Sequence, residues 1–479
     1  MGAPRSAAKA PPTRKSTTLR RLFELDSVAR AAPLPPPSAD AQVDELLSSI
    51  SRCGDLTLES PSQQQEVKRQ QLSRVLSAVR CATRPLDDTV WPPLVSMLSA
   101  NLFRPLPPPT SPCLPPDLFE EDGPAMSLAP SWPHLHIVYD ILAALVASAD
   151  AKALRKHLDR AFLRGLLALF QSEDPRERDR LKNVFHQLYS KLASDRSFMR
   201  KSMNNVLLRF VFDGERHYGI GELLEIWGSI INGFAVPLKE EHRLFLTRVL
   251  LPLHKPRGIC AYHRQLSYCV SQFVHKEPGL GEEVVKGILK HWPVTNCQKE
   301  VLLLGELEDL LESLDPQQFE KLAPSLCVRI ARCSNSANSQ VAERALYVWN
   351  SEQFVKMASQ SWEQVLPGIV ECIEWNLRWH WSKSVQHLTT SVKSMLEEME
   401  PVLYSRYQLE LGHKESVMIL EGTKRKIRWE RLEEMAGCSR SLDERKSAQT
   451  FASLSKILGC VVAYCDPKVG VSDGDGTPV

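Results

Sequence analysis

Between about residue 132 and residue 410 one pattern repeats: apolar residues at three- and four-residue spacing fill segments of 12 to 18 residues, each followed by a polar, glycine or proline break. The segments read LHIVYDILAALVAS, DRAFLRGLLALFQ, DRLKNVFHQLYSKL, FMRKSMNNVLLRFVF, LLEIWGSIINGF, HRLFLTRVLLPLHK, RQLSYCVSQFV, EEVVKGILKHW, KEVLLLGELEDLLESL, FEKLAPSLCVRIARC and SQVAERALYVWN. None shows the alternation of a half-buried strand. Asp174-Pro175, Asp315-Pro316 and Ser339 supply cap and first-turn chemistry at helix starts. In the fifth segment Leu223, Ile226, Trp227, Ile230 and Ile231 form one apolar face, and Gly233 and Pro237 mark its stop and the next start. Helix pairs recur about every 40 residues, so the predicted fold is all-α: an α-α superhelix, or solenoid, in which each hairpin buries a face by stacking on the next. Such arrays present a long concave surface suited to binding.

Composition divides the chain. Residues 1–40 are rich in Pro, Ala, Arg and Ser, with the first acid at Glu24, and read as a disordered basic tail. A Ser- and Arg-rich, acid-poor start also fits an organellar transit peptide, although its prolines oppose the amphipathic helix such signals use. Residues 41–435 carry the solenoid, interrupted by a Pro-rich acidic loop, PLPPPTSPCLPPDLFEEDGP, at 105–124. Residues 436–479 form a C-terminal extension, loose at its end.

A net charge of +2 gives no bulk preference for nucleic acid or an anionic membrane. No run of about eighteen apolar residues is present to span a bilayer. The 12 Cys are scattered without a C-x-x-C pair, which fits thiols in a reducing compartment, here cytoplasmic and/or nuclear, better than disulfides or a zinc site. No catalytic signature survives scrutiny. Gly219 and Gly221 lack the third glycine of a dinucleotide loop, since Leu224 stands there, and Gly228 and Gly233 are followed by Phe234 and Ala235 in place of the phosphate-loop Lys and Ser/Thr. Asp473 and Asp475 open a calcium-type loop without its glutamate. The expectation is a non-enzymatic binding protein with no cofactor and no metal.

Several blocks carry a resemblance. WPHL at 132–135, SEDPRERD at 172–179, GSIINGFAVPLKEEH at 228–242, LPLHK at 251–255, HWPVTN at 291–296 and QVAERALYVWN at 340–350 resemble, in order and spacing, the B-prime regulatory subunits of protein phosphatase 2A. The resemblance covers roughly residues 45–435, and HWPVTN with the later KRKIRWERLEE block is most similar to the plant branch. It implies HEAT-like repeats, non-catalytic regulation, and a heterotrimer with scaffold and catalytic subunits. It also implies a concave groove that recruits substrate proteins through short linear motifs of the Leu-x-x-Ile-x-Glu type. Such a ligand needs apolar pockets beside fixed cations.

The positions that match the family's groove are His186, Gln187, Tyr189, Arg196, Ile226, Ile230, Lys239 and His242, with Arg200 beside them. From spacing alone Ile226 and Ile230 read as core, and Lys239 and His242 as a solvated helix start. Gln187 stands where the family usually has Arg; the substitution implies a smaller gain from ligand phosphorylation, because an amide cannot form a charged fork. Trp227, where the family usually has Leu, is expected to alter local packing. Glu120, Glu121 and Asp122 read by themselves as a solvated loop, and by resemblance as a holoenzyme contact steering basic partner surfaces. Trp375, Trp379 and Trp381 are expected in the core rather than on an interaction surface. The alternative function is a solenoid adaptor that binds peptides without assembling with the phosphatase.

Overall fold

A computed structural model describes residues 39–54, 62–82, 85–106, 131–214, 216–293 and 295–440. Most of the basic tail, the Pro-rich segment with Glu120, Glu121 and Asp122, and the last residues with Asp473 and Asp475 lie outside the described residues. The helices in order are α1 (Ala39–Arg52), α2 (Ser62–Cys81), α3 (Trp91–Leu102), α4 (Trp132–Ser148), α5 (Ala151–His157), α6 (Arg160–Ala168), α7 (Pro175–Lys191), α8 (Arg196–Phe212), α9 (Ile220–Asn232) and α10 (Glu240–Phe245). They continue with α11 (His263–Lys276), α12 (Gly281–Lys290), α13 (Cys297–Leu311), α14 (Pro316–Ser334), α15 (Ser339–Tyr347), α16 (Glu352–Ser359), α17 (Trp362–Trp379), α18 (Lys383–Met399) and α19 (Pro401–Arg440). No strand occurs among the described residues, so the fold is all-α. The chain forms two compact units, Met1–Leu322 and Ala323–Val479.

Local chemistry sets the helix starts. The side chains of Asp150, Asp159, Asp174, Asn296, Asn338, Ser351 and Ser382 each accept a first-turn backbone N–H, and Pro175 occupies the first position of α7. The helix expected over 242–255 is not uniform: α10 widens into a π-type turn at Leu246–Leu250 and tightens into a 3₁₀ turn at Leu251–His254. Pro252 lacks the N–H that a continuous α-helix requires there.

Stacking of successive layers is visible in the first unit as side chains that reach back to the ends of earlier helices. Lys191 Nζ donates to Ala147 O at 2.7 Å and Ala149 O at 2.8 Å, 44 and 42 residues earlier. Lys276 Nζ repeats the device on Asn232 O at 3.1 Å and Phe234 O at 2.9 Å, with the same offsets of 44 and 42. Each lysine thereby satisfies carbonyls left open at a helix C-terminus and places its charge at the negative end of the helix dipole. In the second unit the donors differ but the offsets persist: Asn376 Nδ2 bonds Ser334 O across 42 residues and Trp381 Nε1 bonds Ala337 O across 44.

Two buried carboxylates pin the first unit more deeply. Glu177 on α7 receives Arg104 Nη1 and Nη2 at 2.9 and 2.8 Å, the Tyr139 hydroxyl at 3.0 Å and the Ser172 hydroxyl at 2.6 Å, joining the end of α3 to α4 and α7. Its side chain is 0% exposed and that of Arg104 6%, so the fork is desolvated and fully bonded. Glu306 on α13 accepts from His254 Nε2 at 3.2 Å and His263 Nε2 at 2.8 Å. Burial pushes the Glu306 carboxyl up, but the two imidazoles outweigh it and hold the group at about 2. The LPLHK block thus supplies a buried histidine that packs the layer.

The tryptophans correct an expectation. Trp379 and Trp381 are 72% and 70% exposed and Trp375 44%, because the face of α17 that packs inward is Val365, Leu366, Ile369, Val370 and Ile373. Trp227 is buried and stacks on Phe245 with centroids 4.0 Å apart.

Replacing Glu177 with Ala leaves Arg104 buried without its counter-charge. The expected loss is about 3–5 kcal/mol of stability in the first unit, read by chemical denaturation. A loss below about 1 kcal/mol would show that the fork does not tie the layers together.

Candidate functional site

The site is built from the end of α7, the start of α8, the face of α9 and the first turn of α10. On α7, Leu181, Val184, Phe185 and Leu188 are buried, which turns His186 and Tyr189 to half-buried positions and Gln187 outward. Arg196, the first residue of α8, folds back: Nε donates to Tyr189 O at 2.9 Å and Nη2 to Ser190 O at 2.7 Å, with the guanidinium carbon 5.4 Å from the centroid of the Tyr189 ring. This caps the last carbonyls of α7 and adds a cation–π contact. One turn on, Arg200 Nη1 donates to the Tyr189 hydroxyl at 3.0 Å. The phenol is therefore fixed by two guanidinium groups, neither of which is paired with a carboxylate there.

Across from it, Lys239 stands exposed at the N-cap of α10 without capping through its side chain. His242 lies flat on Phe234, with ring centroids 3.6 Å apart and planes 3° apart. Its Nε2 is 3.4 Å from Glu241 Oε1, while Nδ1 is buried and has no hydrogen-bond partner. Burial lowers the His242 pKa below the usual 6.5; Glu241 works against this, and the charges of Arg200 and Lys239 add to it. Arg200 is thus near enough to act on His242, and α8 packs against the Leu246–His254 turns that follow α10.

The structure thus brings Tyr189, Arg196 and Arg200 together, and places His242 and Lys239 at the start of α10, where the charges of Arg200 and Lys239 both act on the imidazole. His186 is half-buried on the same helix as Tyr189, and Gln187 projects to solvent. Ile226 and Ile230, at 1% and 6% exposure, belong to the apolar face of α9 that also buries Leu223 and Trp227. Sequence reasoning missed Phe234, the plate on which His242 rests, and Lys276, which holds the Phe234 carbonyl. The only signal for Phe234 was an aromatic residue inside the Gly233–Pro237 turn.

Comparison with known proteins decides the family. Residues 32–436 match the family described as protein phosphatase 2A regulatory B subunit (B56 family). The chain belongs to the B56 family. It is similar to the B' beta isoform of the 57 kDa regulatory subunit of serine/threonine protein phosphatase 2A from Arabidopsis thaliana, 44% identical over 373 residues, covering 78% of this chain and 75% of the relative. The B' kappa isoform of the same plant is 42% identical over 425 residues, with 87% and 84% covered. The B' kappa isoform of Oryza sativa subsp. japonica is 42% identical over 378 residues, with 78% and 74% covered. These plant relatives agree with the resemblance drawn from HWPVTN and KRKIRWERLEE. As a B56 chain the protein is a regulatory subunit and not the catalytic one.

Burial is the largest cause of the lowered His242 pKa, and Phe234 covers one face of the ring. Replacing Phe234 with Ala is expected to raise the His242 pKa toward 6.5, measured by NMR titration of the ring protons. An unchanged value would assign the shift to the neighbouring cations instead.

Proposed function

We propose that this B56 chain is the substrate-selecting subunit of a protein phosphatase 2A heterotrimer. It joins scaffold and catalytic subunits and captures Leu-x-x-Ile-x-Glu segments of substrate proteins at the α7–α10 patch, in the cytoplasm and/or nucleus. The observation that supports the reading is that Arg196 and Arg200 both bind Tyr189 while the charge of Arg200 acts on His242 beside Lys239, and that α7 packs on α9, whose Ile226 and Ile230 are buried. In this reading Lys239 and His242 meet the motif's Glu, and Ile230 meets its Ile. Because Ile230 is only 6% exposed, the peptide must displace side chains as it seats, which lowers affinity relative to a preformed cleft. Glu120, Glu121 and Asp122 contact the partner subunits and set orientation and on-rate. Their segment begins shortly after Arg104, which the Glu177 fork anchors.

Fluorescence polarisation with a labelled Leu-x-x-Ile-x-Glu peptide tests the groove. Lys239→Ala or His242→Ala is expected to weaken binding by about 1.5–3 kcal/mol, roughly 10- to 150-fold. Binding unchanged in both variants would remove the site from this patch. The pH dependence follows from His242. Its pKa is lowered in the free chain and a bound carboxylate raises it, so affinity should climb as pH falls from about 8 toward about 6, and His242→Ala should flatten the rise. A phosphate between the peptide's anchors should add little here, because Gln187 offers an uncharged amide; Gln187→Arg should restore the gain. An undiminished phosphate preference in the wild-type chain would contradict that role.

A further inference from the structure

A second electropositive feature lies outside the groove. A cavity of about 530 Å³, open on one side, is lined by Ala151, Lys152, Arg155, Lys156, Lys191, Leu192, Ala193 and Ser194. Lys152, Arg155 and Lys156 stand at i, i+3 and i+4 of α5, so they share one helical face. Lys191, the last residue of α7, joins the same lining. Its two bonds go to the carbonyls of Ala147 and Ala149 rather than to an acid, so its full charge persists and one of its three N–H donors remains.

Two of the four cations have acidic partners: Lys156 reaches Asp88 at 2.7 Å on an exposed surface, and Arg155 is 3.9 Å from Asp195, which Arg160 also holds at 3.2 Å. Lys152 has no ion pair among the described residues. No acidic side chain among the described residues lines the cavity. Its volume is in the range of small-molecule sites and far exceeds what one phosphate group fills. Cations from two segments of the chain lining one cavity suit a compact ligand that carries several anionic groups.

We propose that this cleft binds a multiply phosphorylated small polyol, either free or as the headgroup of a phosphorylated inositol lipid. The lysine ammoniums act as point charges on separate phosphates, and Arg155 adds a fork. The site does not depend on the peptide groove.

The test uses the full chain and inositol hexakisphosphate as the soluble probe, with titration calorimetry at about 50 and about 200 mM salt. Sedimentation with phosphatidylcholine vesicles, with and without phosphatidylinositol 4,5-bisphosphate, forms the second arm. Saturable binding of one probe per chain is expected, weaker at the higher salt. Lys152→Glu is expected to weaken it roughly tenfold or more, because it reverses a charge that supports no other contact. His242→Ala should leave it unchanged. Capture by the inositol-lipid vesicles as well assigns the site to a headgroup; binding of the soluble probe alone assigns it to a free polyphosphate. Absence of saturable binding in both arms, or binding that Lys152→Glu leaves intact, overturns the proposal. Peptide binding by the Lys152→Glu chain, unchanged from wild type, is the check that it folds.

Discussion

Helical layers of this protein leave carbonyls open at a helix end, and a lysine from the next layer closes them. Lys191 serves the end of α4 and Lys276 the end of α9, with identical offsets of 44 and 42 residues. The device satisfies backbone groups that burial would otherwise penalise, and it brings a cation to each of these junctions without an acid to neutralise it. The basic cleft forms where Lys191 does this. The candidate groove forms beside the other case, since Lys276 holds the turn that presents Phe234 to His242. Charge is therefore placed at the junctions by the requirements of stacking, before any ligand is considered.

The deeper pins work differently. Glu177 and Glu306 are buried carboxylates whose donors come from separate helices, so each fixes where neighbouring helices sit. Removing one partner of such a set costs more than the set contributes as a whole, which makes these positions intolerant of change without making them functional. The blocks that signal the family in sequence divide along this line. LPLHK and SEDPRERD carry His254, Ser172 and Glu177, which hold layers together, while GSIINGFAVPLKEEH carries the Phe234, Lys239 and His242 that meet solvent.

Much of the fold was legible in the sequence because its determinants are local. Three- and four-residue spacing gave the helices, and Asp174-Pro175 and Asp315-Pro316 gave their starts. The 40-residue recurrence of helix pairs appears in the structure as hydrogen bonds across 42 to 44 residues. What escaped is what depends on distant partners. No local rule pairs Lys276 with Phe234 or tells that α17 turns Trp379 outward. The candidate groove was proposed from the resemblance and not from any local pattern. Ile226 and Ile230 have the spacing of core residues, and their exposure of 1% and 6% shows why periodicity alone reads them so.

In the proposed function, peptide capture by this chain directs a phosphatase to its substrates. Dephosphorylation of one phosphoprotein, with and without an appended Leu-x-x-Ile-x-Glu segment, by a trimer reconstituted from this chain and purified scaffold and catalytic subunits tests that coupling. The expected result is a stable trimer that dephosphorylates the motif-bearing substrate faster, with the advantage removed when the motif's Glu is replaced by Ala. A trimer that treats the substrates alike, or no trimer at all, would contradict it.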